Sequence, residues 1–210
     1  MHKVQVLGIG PGNQKYIPPV VKNRIEAAEV LIGGNRILKD YEKMDKELIF
    51  ITANLNRISK YIKDNHKTKK IAVLLSGDTG LYSFLKYLRK QISAKYLEVI
   101  PGISSLQLAF ARNKMVWQDA DIISLHGKKN LKRLLQAVAN KAKVGLFTDN
   151  DNSPDVICRY LKGKGYGQKH VFIGENLSYK SEKIYRGKVL DFVENKFAPL
   201  TVMVIYDEKT

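Results

Sequence analysis

The sequence is poor in several things that would narrow its class at once. Among its 210 residues there is one cysteine, Cys158, one tryptophan, Trp117, and six prolines. A lone cysteine makes no internal disulfide, and with no histidine near it in sequence Cys158 reads as a core residue and not a nucleophile. The four histidines are scattered without ligand-like spacing, so no metal site is expected. Long apolar runs are missing too. "IAVLLS", Ile71 to Ser76, is typical of those present and far too short to cross a bilayer. The first residues do not pair a charged stretch with an apolar one, as a secretory leader would. The expectation is a soluble, cytoplasmic protein with no membrane partner. Repeats and low-complexity linkers are also lacking.

Acidic residues are in deficit: 36 Lys and Arg stand against 20 Asp and Glu, a net charge of +16. The excess is spread over both halves and does not form a basic tail. Such a field concentrates anionic ligands, either nucleic acid or a small polycarboxylate, although a lysine-rich surface of no special purpose gives the same count. No basic stripe is interleaved with aromatics and no RNA-binding motif is present. A nucleic-acid-binding module is therefore the lesser reading.

What is present is an alternation of strands and helices. With 44% hydrophobic residues the chain can bury one large core or two modest ones. Apolar runs at Val4–Ile9, Val30–Ile32, Leu48–Ile51, Ile71–Ser76 and Leu97–Ile100 are separated by segments of helical spacing such as Ile25–Leu31 and Leu81–Leu88. That is a βαβ series, hence a parallel sheet. Pro18 and Pro19 suit the first turn of a helix. A second series follows: Asp121–Leu125, Val144–Phe147, Val171–Gly174, Ile184–Arg186 and Leu200–Ile205. The short link "NLSYKSEK" reads as a hairpin, so this sheet should be mixed. Two α/β domains are expected, 1–112 and 113–210.

Three loops leave the carboxyl ends of first-domain strands. The first, "VLGIGPGN", begins like a dinucleotide fingerprint, with Gly8 and Gly10 in place, but the third glycine position holds Asn13 and Pro11 has no N–H for a pyrophosphate. What remains is a tight turn open to close backbone approach. "SGDTGLYS" (Ser76–Ser83) and "PGISS" (Pro101–Ser105) leave two further strands, and in an open α/β sheet all three would meet in one crevice. Taken singly, Asp78 could cap the following helix, and Ser104 and Ser105 the one beginning near Leu106. Their shared edge favours a ligand site in which the Asp78 carboxylate accepts hydrogen bonds.

The motifs "GIGPGN", "SGDTGLY", "PGISSLQLAFAR", "WQDADIISLHG" and "ENLSYKSEKI", in this order, resemble the tetrapyrrole methylases that use S-adenosylmethionine, over essentially the whole chain. The last two resemble the branch that methylates carbon 5 of cobalt-precorrin-7 in cobalamin synthesis. Sister methylases acting on another ring position, or on diphthamide, share the first three. One departure is Thr79, where the family loop usually carries proline. The resemblance implies two α/β domains with the cofactor in a cleft between them, and a homodimer. It also implies a polycarboxylate cobalt-precorrin as substrate, and association with the decarboxylating C(15) methylase.

By the same resemblance Ile9 and Pro11 border the cleft, and Gly77, Asp78, Leu81, Tyr82, Ser104 and Ser105 contact the cofactor. Phe147, Leu177 and the Ala198–Thr201 stretch, with Pro199 and Leu200, join them from the second domain. Methyl transfer to a ring carbon is an in-line displacement at a sulfonium carbon, so alignment and exclusion of water are the main tasks. A proton acceptor, if one is used, is to be sought among Asp119, Asp121, His126, Glu175 and Tyr179, with His126 and Tyr179 as first candidates. Trp117 could pack on the macrocycle or in the core. Arg112, Lys114, Lys128 and Lys129 are candidates to receive the substrate carboxylates.

Overall fold

The computed structural model describes residues 2–125 and 131–208. The chain divides into two compact units, the first ending at Ser104 and the second beginning at Ser105.

In the first unit five strands form one parallel sheet: β1 (Val4–Gly8), β2 (Val30–Gly33), β3 (Glu47–Phe50), β4 (Ile71–Leu75) and β5 (Leu97–Ile100), in the order β3-β2-β4-β1-β5. Strand periodicity assigns the faces. Val4 and Val6 pack with Ile32, Val73 and Leu75 under helices α3 (Leu55–Asn65) and α4 (Leu85–Gln91), through Ile58, Ile62 and Leu88. Leu7 and Ile9 turn to the other face with Leu31, Ala72 and Leu74, under α1 (Pro19–Ala27) and α2 (Asn35–Leu38), through Val21, Ile25 and Leu38. With helices on both faces, β2 and β4 are continuous apolar runs, as buried parallel strands are, and β1 departs from this only at Gln5.

The second unit holds β6 (Asp121–Ser124), β7 (Lys143–Phe147), β8 (His170–Glu175), β9 (Lys183–Lys188) and β10 (Thr201–Tyr206), in the order β6-β7-β10-β8-β9. Only β6 and β7 are parallel, and the rest pair antiparallel. The expected mixed sheet and its β8–β9 hairpin are both present. Between them in sequence lie α5 (Ser105–Arg112), α6 (Leu131–Asn140) and α7 (Pro154–Lys162). Helices α6 and α7 cover one face through Leu134, Val138, Ile157 and Leu161. Cys158 is fully buried in that core, and burial pushes its thiol up to about 12.

Two expectations need correction, and the compact units part at a residue of their own. The helical spacing read over Ile25–Leu31 spans two elements, because α1 ends at Ala27 and β2 starts at Val30. That read over Leu81–Leu88 is half loop, since α4 begins only at Leu85. The unit boundary falls before α5. Leu106 and Phe110 of α5 lie over Gly145 in β7, where an added Cβ would come 3.1 Å from Phe110 and 3.4 Å from Leu106. That helix is thereby committed to the second sheet.

Candidate functional site

The connection after β1 leads to α1 on one face of the first sheet, and that after β4 leads to α4 on the other. Adjacent strands whose connections diverge define the switch point at which open α/β sheets bind ligands. The loops after β1, β4 and β5 all start at this edge.

Their glycines are explained first by one another. A Cβ on Gly8 would lie 2.4 Å from the Gly102 nitrogen, and one on Gly102 would lie 2.4 Å from the Gly77 carbonyl and 2.6 Å from the Gly8 carbonyl carbon. The three loops thus touch main chain to main chain, at a distance no side chain permits. Gly10 and Gly77 bridge in antiparallel fashion, the Gly77 N–H donating to the Gly10 carbonyl at 2.8 Å and the Gly10 N–H to the Gly77 carbonyl at 3.3 Å. Both have positive φ, +78° and +70°. The space beside Gly8 is therefore filled by Gly102 and offers no room to a ligand there. Ile9 and Pro11 are buried, Ile9 within the core on the α1 side.

Asp78 does not cap a helix. Its Oδ1 accepts the Gly80 N–H at 2.8 Å and its Oδ2 the Gly102 N–H at 3.3 Å, tying the loop after β4 to the loop after β5. A carboxylate has about four lone-pair directions, so each oxygen keeps capacity for a further donor. Past it, Thr79 is buried and accepts a hydrogen bond from Ser83. Tyr82 stands 53% exposed with φ at +51°. A left-handed tyrosine costs about 1–2 kcal/mol, and such strain gathers at ligand-binding loops. Ser104 is buried below Gly77, and Arg36 on α2 donates to the Ser76 hydroxyl at 3.1 Å, bringing a guanidinium to this edge that sequence reasoning missed. A cavity of about 230 Å³ lies at the opposite edge, lined by Lys3, Gln5, Arg24 and Lys70, and takes in none of these loop residues.

In the second unit the register gathers the candidates at one sheet edge. Phe147 ends β7 opposite Val202, and Glu175 ends β8 opposite Thr201, the first residue of β10. Leu177 lies buried over Gly174, while Pro199 and Leu200 are exposed. Ser105 opens α5.

The proton-acceptor candidates fare unequally. Asp119 binds the buried Lys143 ammonium at 2.6 Å, which holds its carboxyl below the usual range. Asp121 lies 3.6 Å from Arg133. Glu175 is buried and already accepts two hydrogen bonds, from the Ala198 N–H at 2.6 Å and the Tyr185 hydroxyl at 3.2 Å. Tyr179 sits in the β8–β9 connection, its N–H donating to the Asn176 carbonyl. His126, Lys128 and Lys129 lie outside the described residues. Trp117 is exposed and so not a core residue. Of the basic candidates, Lys114 is exposed, whereas Arg112 is engaged with Glu182 at 2.8 and 3.4 Å.

Two open α/β sheets, one of them with its connecting loops gathered at a switch point, define a ligand-binding α/β protein. Its family is shown by comparison: the chain belongs to the Tetrapyrrole (Corrin/Porphyrin) Methylases, whose family model matches residues 3–192. It is 36% identical over 207 residues to a probable cobalt-precorrin-7 C(5)-methyltransferase of Methanocaldococcus jannaschii, covering 96% of both chains. The fold is that of the cobalamin biosynthesis precorrin-6Y methylase of Archaeoglobus fulgidus, with TM-score 0.76, 20% identity and coverage of 99% and 100%. It is also that of the uroporphyrin-III C-methyltransferase of Thermus thermophilus complexed with S-adenosylhomocysteine, with TM-score 0.77, 14% identity and coverage of 98% and 97%.

Proposed function

We propose that this chain is a cobalt-precorrin-7 C(5)-methyltransferase that uses S-adenosylmethionine. The observation that carries the reading is the end-to-end similarity to a relative of that name and of nearly equal length. The residues present suit the methyl donor. The first-unit edge sets one carboxylate with spare acceptor capacity, Asp78, among Leu81, Tyr82 and Ile103, of which Tyr82 and Ile103 are exposed. One anionic acceptor beside exposed apolar side chains suits the ribose hydroxyls and the charge of a sulfonium ligand.

When bound, S-adenosylmethionine supplies a methyl group activated by its sulfonium charge. The chain's own contribution is placement. Asp78 orients a donor of the ligand, and Gly77, Leu81, Tyr82 and Ser104 form its surroundings. Among second-unit residues the assignment takes in Ser105, Phe147, Leu177, Pro199 and Leu200. Ile9 and Pro11 act from beneath by packing. Asp119 is already held by Lys143, which lowers its carboxyl and makes it a poor proton acceptor. The positive surface suits a substrate bearing several carboxylates. The reading carries with it a cytoplasmic homodimer that associates with the decarboxylating C(15) methylase, testable by sedimentation and co-purification.

The test is anaerobic incubation of the purified protein with cobalt-precorrin-7 and methyl-labelled S-adenosylmethionine. One labelled methyl at carbon 5, with S-adenosylhomocysteine released, is the expected result. Label transferred only to cobalt-precorrin-4 or to a diphthamide intermediate would replace the substrate assignment.

A further inference from the structure

We propose that Glu175 is a positioning residue whose buried carboxylate sets the backbone of Ala198–Thr201 for the adenosyl ligand, an inference that rests on the cofactor reading above. Residues 195–200 have no ladder or helix to shape them, and β10 begins only at Thr201. Side chains and main chain from the ends of β7 and β8 take that role. The Glu175 carboxylate receives the Ala198 N–H at 2.6 Å. The Asn176 N–H donates to the Leu200 carbonyl at 2.8 Å. The Thr201 hydroxyl returns to the Ala198 carbonyl at 2.6 Å, and the buried Thr148 hydroxyl donates to the Thr201 carbonyl at 2.6 Å. Pro199 has no N–H to offer. Every one of these bonds lies within the second unit and converges on four residues.

The chemistry points to a role beyond holding the fold together. A carboxylate taken out of water is costly unless its lone pairs are met. Glu175 is 5% exposed and forms no ion pair among the described residues. Its partners are a main-chain N–H and the Tyr185 hydroxyl, whose ionisation is opposed by burial and then by the Glu175 charge, so that it stays a donor. A short, charge-assisted bond to a single peptide group fixes that peptide's orientation more tightly than a neutral acceptor would. The adjoining Pro199 and Leu200 are left exposed, and a rigid exposed backbone held from below is what a ligand-contacting segment needs.

Affinity for S-adenosylhomocysteine by calorimetry, the KM for S-adenosylmethionine and the melting temperature are to be measured for the wild type and three variants. Glu175→Leu removes the acceptor and should weaken binding by roughly tenfold or more and raise KM more than it lowers kcat, the scale expected when a positioning group is lost. Glu175→Gln keeps an oxygen for the Ala198 N–H and an amide for the Tyr185 oxygen, and should stay within about threefold of wild type. Tyr185→Phe breaks only the other bond and should lower the melting temperature with affinity unchanged. Where Glu175→Leu does not fold, Glu175→Asp, which withdraws the carboxylate by one methylene, takes its place with the same expectation. Affinity that merely tracks melting temperature across the set would show a structural role only and overturn the proposal. A Glu175→Gln variant as weak as Glu175→Leu would overturn it too. A wild type that binds neither S-adenosylmethionine nor S-adenosylhomocysteine overturns the cofactor reading itself, a failure visible before any variant is compared.

Discussion

Replacing Gly102 with alanine tests the main-chain packing on which the first-unit site depends. The new methyl would stand 2.4 Å from the Gly77 carbonyl oxygen and 2.6 Å from the carbonyl carbon and oxygen of Gly8, against an ordinary contact of 3.4 Å or more. No flexible side chain can swing aside, because all three neighbours are backbone. Gly77 is held by its bridge to Gly10, and Gly102 by its bond to Asp78, so relief has to move whole loops. Overpacking costs about 1–3 kcal/mol, and with rigid neighbours the upper end applies, about 3 kcal/mol. At roughly 2–4 °C per kcal/mol for a chain of this length, the melting temperature should fall by about 6–12 °C. The control is Gly165→Ala, at φ +87° with nothing within 4 Å of the added carbon. It carries only the left-handed backbone penalty, roughly 1–2 kcal/mol. Thermal unfolding followed by circular dichroism compares the two. A Gly102→Ala protein that melts no lower than Gly165→Ala would refute the three-loop contact.

Thr79→Pro restores the residue usual in the family loop; the Thr79 N–H forms no hydrogen bond among the described residues, so the ring removes none, and stability should rise by about 0.4–1 kcal/mol in denaturant titration. A loss would mean that the Asp78–Thr79 backbone excludes proline. Hydrogen bonding from Arg112 lowers the Glu182 carboxyl below its ordinary value in the folded state. A depressed folded value stabilises the protein above the unfolded carboxyl range and loses that contribution as pH falls through the folded value. The gap between wild type and Glu182→Gln should therefore be constant near neutrality and close in acid. With Arg112 over a third exposed it amounts to no more than about 1 kcal/mol, and a gap that persists at pH 3 refutes the pairing. Cys158, its thiol pushed up to about 12 by burial, should resist a disulfide reagent at pH 8 in the native state and react at once in urea.

Much of the fold was legible from local pattern alone. Most strands lie on an apolar run, β9 with its lysines and Arg186 being the exception, and helices on both faces of a parallel sheet demand the uninterrupted runs seen in β2 and β4. The motif order carried the family, and the βαβ order implied that the loops after β1, β4 and β5 would share an edge. Tertiary structure alone decided what those loop residues do. Asp78 reads locally as a helix cap, but its second partner is the Gly102 N–H of another loop. Helix α5 follows the first unit in sequence, yet the missing side chain at Gly145 draws it to the second sheet. Glu175 reads locally as one of several candidate proton acceptors, but the fold brings Ala198, far along the chain, to its carboxylate. The physical reason is common to all three. Periodicity records which face of an element is apolar, because burial acts residue by residue. A polar group's role depends on which donor the folded chain brings within about 3 Å of it, and no local pattern encodes that distance.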